Sequence, residues 1–334
     1  MRQSLVLCVS LLVSLACGCA DGGARDDALR ISAFSVVREA YDQAVLPAFA
    51  RAWRARTGRT PRFEVSYGAS GAQSRAVVGG FDADVVAFSM QADVDRLAAA
   101  GLVTHDTHAA PHDGMVTRSI VALAVRAGNP RGVTGWSDLS RPDVSVLTAN
   151  PRTSGGATWN VAAILGAARR SRAARSDEQV LQGVLARVDI LDRSGRDSVQ
   201  TFERGMGDVV VTYENEIVVG RRSGQTYEQV TPRSTLRIDN PAALVDAYAD
   251  AHGRRPIAEA FLAFLRSPEA QRAFADWGLR PVDPGVARET EGRFAPVDDL
   301  FTIADLGGFG ALQREVFAPG AVWDRAFAAA RRPR

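Results

Sequence analysis

Short apolar runs alternate with stretches of helical periodicity along most of this 334-residue chain. Residues 29–34, 64–67 and 84–89 predict three strands, and a helix is expected after each of them. Strands that alternate with helices in this way are typical of a parallel, doubly wound sheet. The first part of the chain therefore predicts one α/β lobe.

A second series of the same kind begins at the long apolar run 119–126. Runs at 144–148, 188–191 and 208–213 predict further strands, and from about Leu236 the chain is expected to return to the first lobe. A chain of this length is expected to divide its core between two lobes. The predicted fold class is α/β, with two doubly wound lobes joined by a hinge and a ligand in the cleft between them. Lobe I is expected to comprise residues 29–117 and 236–334, and lobe II residues 118–235.

Turns rich in glycine and hydroxyl residues follow several of the predicted strands. The most distinctive one contains Ser154, Gly155 and Gly156, between a β-branched run and an alanine-rich helix. The first N–H groups of a helix lack partners and glycines allow close approach, so such a turn can hold an anion. Ser154 could instead simply cap its own helix. Similar turns near Ser35 and Ser70 favour the anion site, because ligands of open α/β sheets bind beyond the carboxyl ends of strands.

Composition narrows the classes of function further. The chain is 46% hydrophobic and 23% charged with a net charge of +2, which argues against a nucleic-acid partner. It has no lysine, so Ser–Lys chemistry is excluded, and it has no Gly-x-Ser-x-Gly motif. We expect neither an enzyme nor a cofactor.

The first residues predict an export signal. Met1 and Arg2 precede an apolar run at 5–16 that is too short to span a membrane, and all three cysteines lie within residues 1–19. Small residues before Cys19 resemble a bacterial lipoprotein processing site, which predicts a signal peptide at 1–19 and a polar tether at 20–28. Lipid on Cys19 would hold the protein at the outer face of the cytoplasmic membrane or in the periplasm. Processing at Cys17, or an ordinary cleaved signal, remains an alternative.

Several different short motifs follow one another along the chain. Together they resemble the periplasmic sulfate/thiosulfate-binding proteins of ABC importers, which have the type II solute-binding fold. The resemblance extends from about Arg30 to Phe327. The motifs that carry it are residues 38–41, 67–73, 83–86, 126–130, 150–157 with 159–160, 207–209, 213–216, 267–269 and 280–281.

The resemblance implies a site of uncharged donors contributed by both lobes. Ser70 and Ser154 match hydroxyl donors, whereas Gly155 and Gly156 match backbone N–H donors. It further implies a monomer that closes around sulfate or thiosulfate and delivers it to permease subunits. The remaining matched positions are Ser35 and Gly195, which correspond to backbone N–H donors, and Tyr213, which replaces a tryptophan of the enteric relatives.

Tyr213 bears on the choice of anion. Sulfate carries no proton at neutral pH, whereas phosphate needs an acceptor for its remaining proton, and no matched position is Asp or Glu. A tyrosine hydroxyl can donate and accept, unlike an indole N–H. Phosphate, molybdate and tungstate therefore remain alternative ligands. Tyr213 could also be a core or hinge residue that never contacts the ligand.

A histidine-rich loop offers a different function. His105, His108 and His112 have a spacing that could supply zinc ligands. The neighbouring Pro111 and the polar surroundings favour a solvated loop instead, and we expect no metal site. A metal-binding lipoprotein, or a surface sensor that has kept the fold, remains the alternative outside the transport class.

Overall fold

The computed structural model describes residues 28–171 and 175–332. The expected signal peptide, Cys19 and nearly all of the expected tether lie outside these residues and stay predictions. No helix among the described residues is long and apolar enough to cross a membrane.

Strands and helices alternate over most of the described chain. The strands are β1 Ala28–Phe34, β2 Arg62–Gly68, β3 Val85–Ala87, β4 Met115–Val125, β5 Val146–Ala149, β6 Val188–Asp192, β7 Val209–Tyr213, β8 Glu228–Val230, β9 Ser234–Leu244 and β10 Asp299–Phe301. The helices are α1 Arg38–Ala40, α2 Leu46–Thr57, α3 Ser70–Val78, α4 Gln91–Ala99, α5 Gly155–Arg170, α6 Asp177–Leu185, α7 Gly195–Glu203, α8 Glu214–Arg222, α9 Asp246–Ala251, α10 Arg255–Leu265, α11 Pro268–Asp276, α12 Pro284–Thr290, α13 Gly308–Leu312 and α14 Val322–Ala330.

The strands form one sheet with two parallel halves. Its order is β2-β1-β3-β9-β4-β7-β5-β6, with β10 on β9 and β8 on β4. In the first half β1 is parallel to both β2 and β3, and in the second half β5 is parallel to both β6 and β7. Each half therefore has the α/β arrangement that the sequence predicts.

Two long antiparallel strands, β4 and β9, join the halves. The first residues of β4 pair with β9, and its last residues pair with β7. At its other end β9 pairs with β3. The apolar pattern did not reveal β9 as a strand, because Asp239, Asn240 and Pro241 interrupt it. The predicted lobe boundaries at 117/118 and 235/236 fall within these strands and remain predictions.

The helix expected after the first strand is divided into several segments. It begins as a 3₁₀ turn at Ser35–Val37, continues through α1, widens to a π turn at Tyr41–Val45 and ends as α2. Pro47 in the first turn of α2 has no N–H to donate to the preceding turn, which accounts for the widening there.

The C-terminal segment packs against the second half of the sheet. The ring of Phe301 covers Gly166 of α5, and Arg325 of α14 pairs with Glu178 of α6 at 2.7 Å. Asp324 pairs with Arg152 in the turn before α5 at 2.5 Å. Assigning all of residues 236–334 to lobe I does not account for these contacts. The sequence alone could not place this segment because its partners lie more than a hundred residues away.

Candidate functional site

The predicted site residues lie in turns at the carboxyl ends of strands from both halves of the sheet. Ser35 follows β1, Ser70 follows β2, Ser154 follows β5 and Gly195 follows β6. Tyr213 is the last residue of β7. Parallel strands direct these ends to one edge, so residues far apart in sequence meet at the junction of the halves.

The Ser154 turn begins α5. The Ser154 hydroxyl accepts a hydrogen bond from the N–H of Ala157 at 3.3 Å, so Ser154 does cap its helix. This bond leaves the hydroxyl hydrogen able to donate elsewhere. Within the described part of the chain, the N–H groups of Gly155 and Gly156 have no hydrogen-bond partner. The turn therefore combines the cap with two unpaired N–H donors, and the two interpretations of the sequence are compatible.

Gly155 lies where the two halves approach each other closely. A Cβ atom there would lie 2.8 Å from Ser89 Oγ and 3.3 Å from Ser70 Cβ. A Cβ atom at Gly156 would lie 3.4 Å from Tyr213 Cε1, which is an ordinary contact. The turn after β5 thus lies directly against the turns after β2 and β3.

Ser70 is buried and its hydroxyl already has two partners. It donates to Asp93 Oδ2 at 2.5 Å and accepts from the Ser89 N–H at 2.9 Å. A carboxylate can only accept, so the hydroxyl hydrogen is directed at Asp93. In this arrangement Ser70 has no hydrogen left for a ligand, and its assignment as an anion donor stays a prediction.

Tyr213 is buried at the junction. Its hydroxyl is 2.8 Å from the hydroxyl oxygen of Ser89, and its ring packs against Phe34 at 6.2 Å between centroids. Burial raises the pKa of Tyr213 well above its usual value, so the hydroxyl keeps its proton at physiological pH.

Ser35 and Gly195 lie together on another part of the junction. Ser35 lines a cavity of about 460 Å³ with Tyr67, Ser194 and Arg196. A Cβ atom at Gly195 would touch Val36, the neighbour of Ser35, at 3.9 Å. A second cavity, of about 170 Å³, is lined by Ser154 and Gly155. Cavities therefore flank the junction on two sides.

A largely buried charge cluster lies beside the Ser35 cavity. Arg196 of α7 pairs with Glu39 of α1 across the junction and with Glu216 of α8 at 3.2 Å. The two carboxylate oxygens of Glu216 are buried and form no hydrogen bond within the described residues. Burial raises the pKa of Glu216 to about 7, against the opposing effect of the Arg196 charge. The ion pair between Arg196 and Glu39 therefore links the two halves of the sheet.

The histidines of the 105–112 loop have separate partners. His105 Nδ1 lies 2.7 Å from Asp246, whereas His108 Nδ1 lies 2.8 Å from Asp113. The described residues contain no group of three or more side chains that could hold a metal ion.

The sequence interpretation did not single out Ser89, two residues after β3. Its carbonyl oxygen accepts from the Trp159 indole N–H at 2.9 Å and from the Asn240 amide at 2.9 Å. The sequence feature that could have indicated Ser89 was its position in a hydroxyl-containing turn after a strand. Its partners lie on α5 and β9, so only the folded chain reveals its role as the central contact of the junction.

Comparison with known proteins identifies the family to which this architecture belongs. The family model described as "Bacterial extracellular solute-binding protein" matches residues 40–280. A sulfate-binding protein of Synechococcus elongatus is 37% identical over 334 aligned residues, which cover 97% of this chain and 95% of that protein. A thiosulfate-binding protein of Pseudomonas aeruginosa is 33% identical, covering 94% of this chain and 96% of that protein.

A solved structure shows the same fold. The sulfate-binding protein SubI of Mycobacterium tuberculosis matches with a TM-score of 0.81 and 37% identity, covering 87% of this chain and 99% of that one. This match confirms the predicted two-lobe, type II α/β fold and the family resemblance. The chain belongs to the bacterial extracellular solute-binding proteins, in the family of the sulfate-binding and thiosulfate-binding proteins.

Proposed function

We propose that the protein captures sulfate in the cleft between its lobes and delivers it to the permease of an ABC transporter. The observation that carries this proposal is the pair of unpaired N–H groups at Gly155 and Gly156, at the start of a 16-residue helix. Such N–H groups and the positive end of the helix dipole attract an anion. The names of the relatives, sulfate-binding protein among them, support the choice of ligand.

The character of the donors favours an anion without a proton. The seven proposed ligand residues are Ser35, Ser70, Ser154, Gly155, Gly156, Gly195 and Tyr213, and none of them is a carboxylate. Asp93 lies next to the site, but its Oδ2 accepts from Ser70 and its Oδ1 accepts from Arg96 at 2.8 Å. A protonated oxyanion would therefore find no free carboxylate to accept from its O–H group, and an O–H group left unpaired costs about 1–3 kcal/mol.

Thiosulfate is the second candidate ligand. The Pseudomonas relative is named for thiosulfate and covers nearly the whole chain. Thiosulfate is also fully deprotonated at neutral pH, so a set of donors suits it equally.

The two halves of the sheet are the proposed lobes, with β4 and β9 as the hinge. Residues 29–117 and about 236–298 form lobe I, and residues 118–235 form lobe II. The contacts of Phe301 with Gly166 of α5 and of α14 with α6 support grouping the C-terminal segment with lobe II. The proposed mature protein is a monomer held at the outer face of the cytoplasmic membrane by lipid on Cys19, and it carries out no covalent chemistry.

Isothermal titration calorimetry of Ser154→Ala and Tyr213→Phe tests the site. Each variant removes one hydroxyl from the cleft, and we expect sulfate affinity to fall about tenfold while the fold persists. The wild type is titrated with sulfate, thiosulfate, phosphate and molybdate in parallel to rank the ligands.

Ser154→Ala also removes a helix cap, which by itself destabilises the protein by about 1 kcal/mol. Ser267→Ala is the matched control, because Ser267 caps α11 with a bond of the same 3.3 Å length. Sulfate affinity should be unchanged in this control. Unchanged affinity in both cleft variants would refute the site assignment.

A further inference from the structure

Ser89 is a buried hydroxyl residue at the centre of the junction. Its backbone is fixed on both sides: its N–H donates to Ser70 Oγ, and its carbonyl oxygen accepts from Trp159 and Asn240. These partners come from α3, α5 and β9. The position of the Ser89 hydroxyl relative to Tyr213 is therefore set by the fold.

The hydrogen bonds of the Ser89 hydroxyl have only one consistent direction when an anion is present. Its oxygen lies 3.2 Å from the Trp159 indole N–H, which can only donate, and 2.8 Å from the Tyr213 hydroxyl. Among the described residues these are its two hydrogen-bond partners. The Ser89 hydrogen must therefore go to the Tyr213 oxygen, since donation in the opposite direction would leave a buried hydrogen unpaired.

This direction decides what Tyr213 offers to a ligand. Its oxygen accepts from Ser89, so its own hydrogen is left to donate to another acceptor. Burial keeps the hydroxyl protonated, as described above. Tyr213 then presents its hydroxyl hydrogen to an anion, as an indole N–H would.

We propose that Ser89 determines anion selectivity, by fixing the Tyr213 hydroxyl as a donor that rejects oxyanions carrying a proton. The proposal rests on the proposed function, because it assumes that the anion reaches Tyr213. Ser89 is a positioning residue that acts through Tyr213. Without it, the Tyr213 oxygen regains a free acceptor position that can receive the P–OH group of hydrogen phosphate.

The test compares sulfate and hydrogen phosphate affinities by calorimetry at pH 8 in the wild type and in Ser89→Ala. We expect sulfate affinity to fall in the variant and phosphate affinity to fall less or to rise. The ratio of the two affinities should decrease about tenfold, the size expected for one mispaired buried hydrogen bond. A loss of overall packing would lower both affinities in proportion and leave the ratio unchanged.

Tyr213→Phe and the double variant complete a cycle. Tyr213→Phe should also lower the selectivity ratio, and it tests the same hydrogen bond if Ser89→Ala does not fold. Adding Ser89→Ala to Tyr213→Phe should then change the ratio no further. Ser74→Ala is the matched control, since Ser74 is a buried serine on α3 whose hydroxyl donates to the Asp93 carbonyl at 2.7 Å. It should retain the wild-type ratio.

The outcomes separate this inference from the function on which it rests. An unchanged ratio in Ser89→Ala, or a Ser89→Ala effect that persists in the Tyr213→Phe background, would overturn the selectivity role alone. A wild-type protein that binds neither sulfate nor thiosulfate would overturn the proposed function and the inference together.

Discussion

At the scale of single residues, the junction depends on the absence of a side chain at Gly155. Ser89 and Ser70 occupy the space that a Cβ atom would need. The neighbouring Gly156 has room for a Cβ atom, with its nearest atoms at 3.4 Å. The two glycines offer similar N–H donors, yet they differ in how closely the opposite wall approaches them.

This difference predicts opposite behaviour of two alanine variants. Gly155→Ala should force the walls apart at a cost of about 1–3 kcal/mol to the closed form, and sulfate binding should weaken by about that amount. Gly156→Ala retains its N–H and should bind nearly as the wild type does. Calorimetry with sulfate and thermal unfolding of both variants provide the measurement. Equal affinities for the two variants would show that Gly155 does not limit closure.

At the scale of elements, the N-terminal turns of α1, α7 and α8 share one charge cluster. Arg196 is paired with Glu39 and Glu216, which reach it from α1 and α8. Glu203 and Tyr227 also face this cluster and are hydrogen-bonded to each other at 3.1 Å. Three carboxylates around one guanidinium favour a proton on the most deeply buried of them. Glu216, with no exposed surface, is that residue.

The cluster predicts a pH dependence of stability. The folded pKa of Glu216 is about 7, above its ordinary value of 4.5, so the folded protein binds this proton more tightly than the unfolded chain. The stabilisation is fully present below pH 4.5 and is lost as pH rises through 7. Glu216→Gln has no carboxylate to titrate here. Its free energy of unfolding should therefore rise by about 3 kcal/mol relative to that of the wild type between pH 4.5 and pH 8.

Chemical denaturation at several pH values measures that difference. Glu259→Gln, a change at an exposed carboxylate on α10, is the control and should run parallel to the wild type. If the free energies of unfolding of Glu216→Gln and the wild type differ by the same amount at every pH in this range, Glu216 does not carry the proton.

At the scale of the whole molecule, β4 and β9 provide continuity between the two halves, and the C-terminal segment adds a third connection. Arg152, in the turn that begins α5, contacts both the Phe317 carbonyl oxygen and Asp324. The proposed ligand turn is thus tied to the C-terminal segment through Arg152.

The location of the whole protein is also testable. If lipid is attached at Cys19, metabolic labelling with a fatty acid should mark the wild type and Cys17→Ala but not Cys19→Ala. Membrane fractionation of the same strains should release the Cys19→Ala protein into the soluble periplasmic fraction. Labelling lost only in Cys17→Ala would place the lipid at the other cysteine, and no labelling in any strain would refute the anchor.

The sequence by itself determined the repeating local units of this protein. Apolar runs, glycine and hydroxyl turns and helical periodicity are local properties, and they placed Ser154, Gly155 and Gly156 at the start of a helix after a strand. Ordered motifs along the chain then identified the family. These features depend on residues a few positions apart, so they can be deduced without a fold.

Only the tertiary structure decided which of these groups face each other and in which direction their hydrogen bonds run. It showed that Ser70 donates to Asp93, that Ser89 lies between Gly155 and Tyr213, and that β9 is a strand despite Asp239, Asn240 and Pro241. The direction of a hydroxyl depends on partners brought together from distant elements. Local patterns cannot encode that information, because it arises from the packing of the two halves against each other.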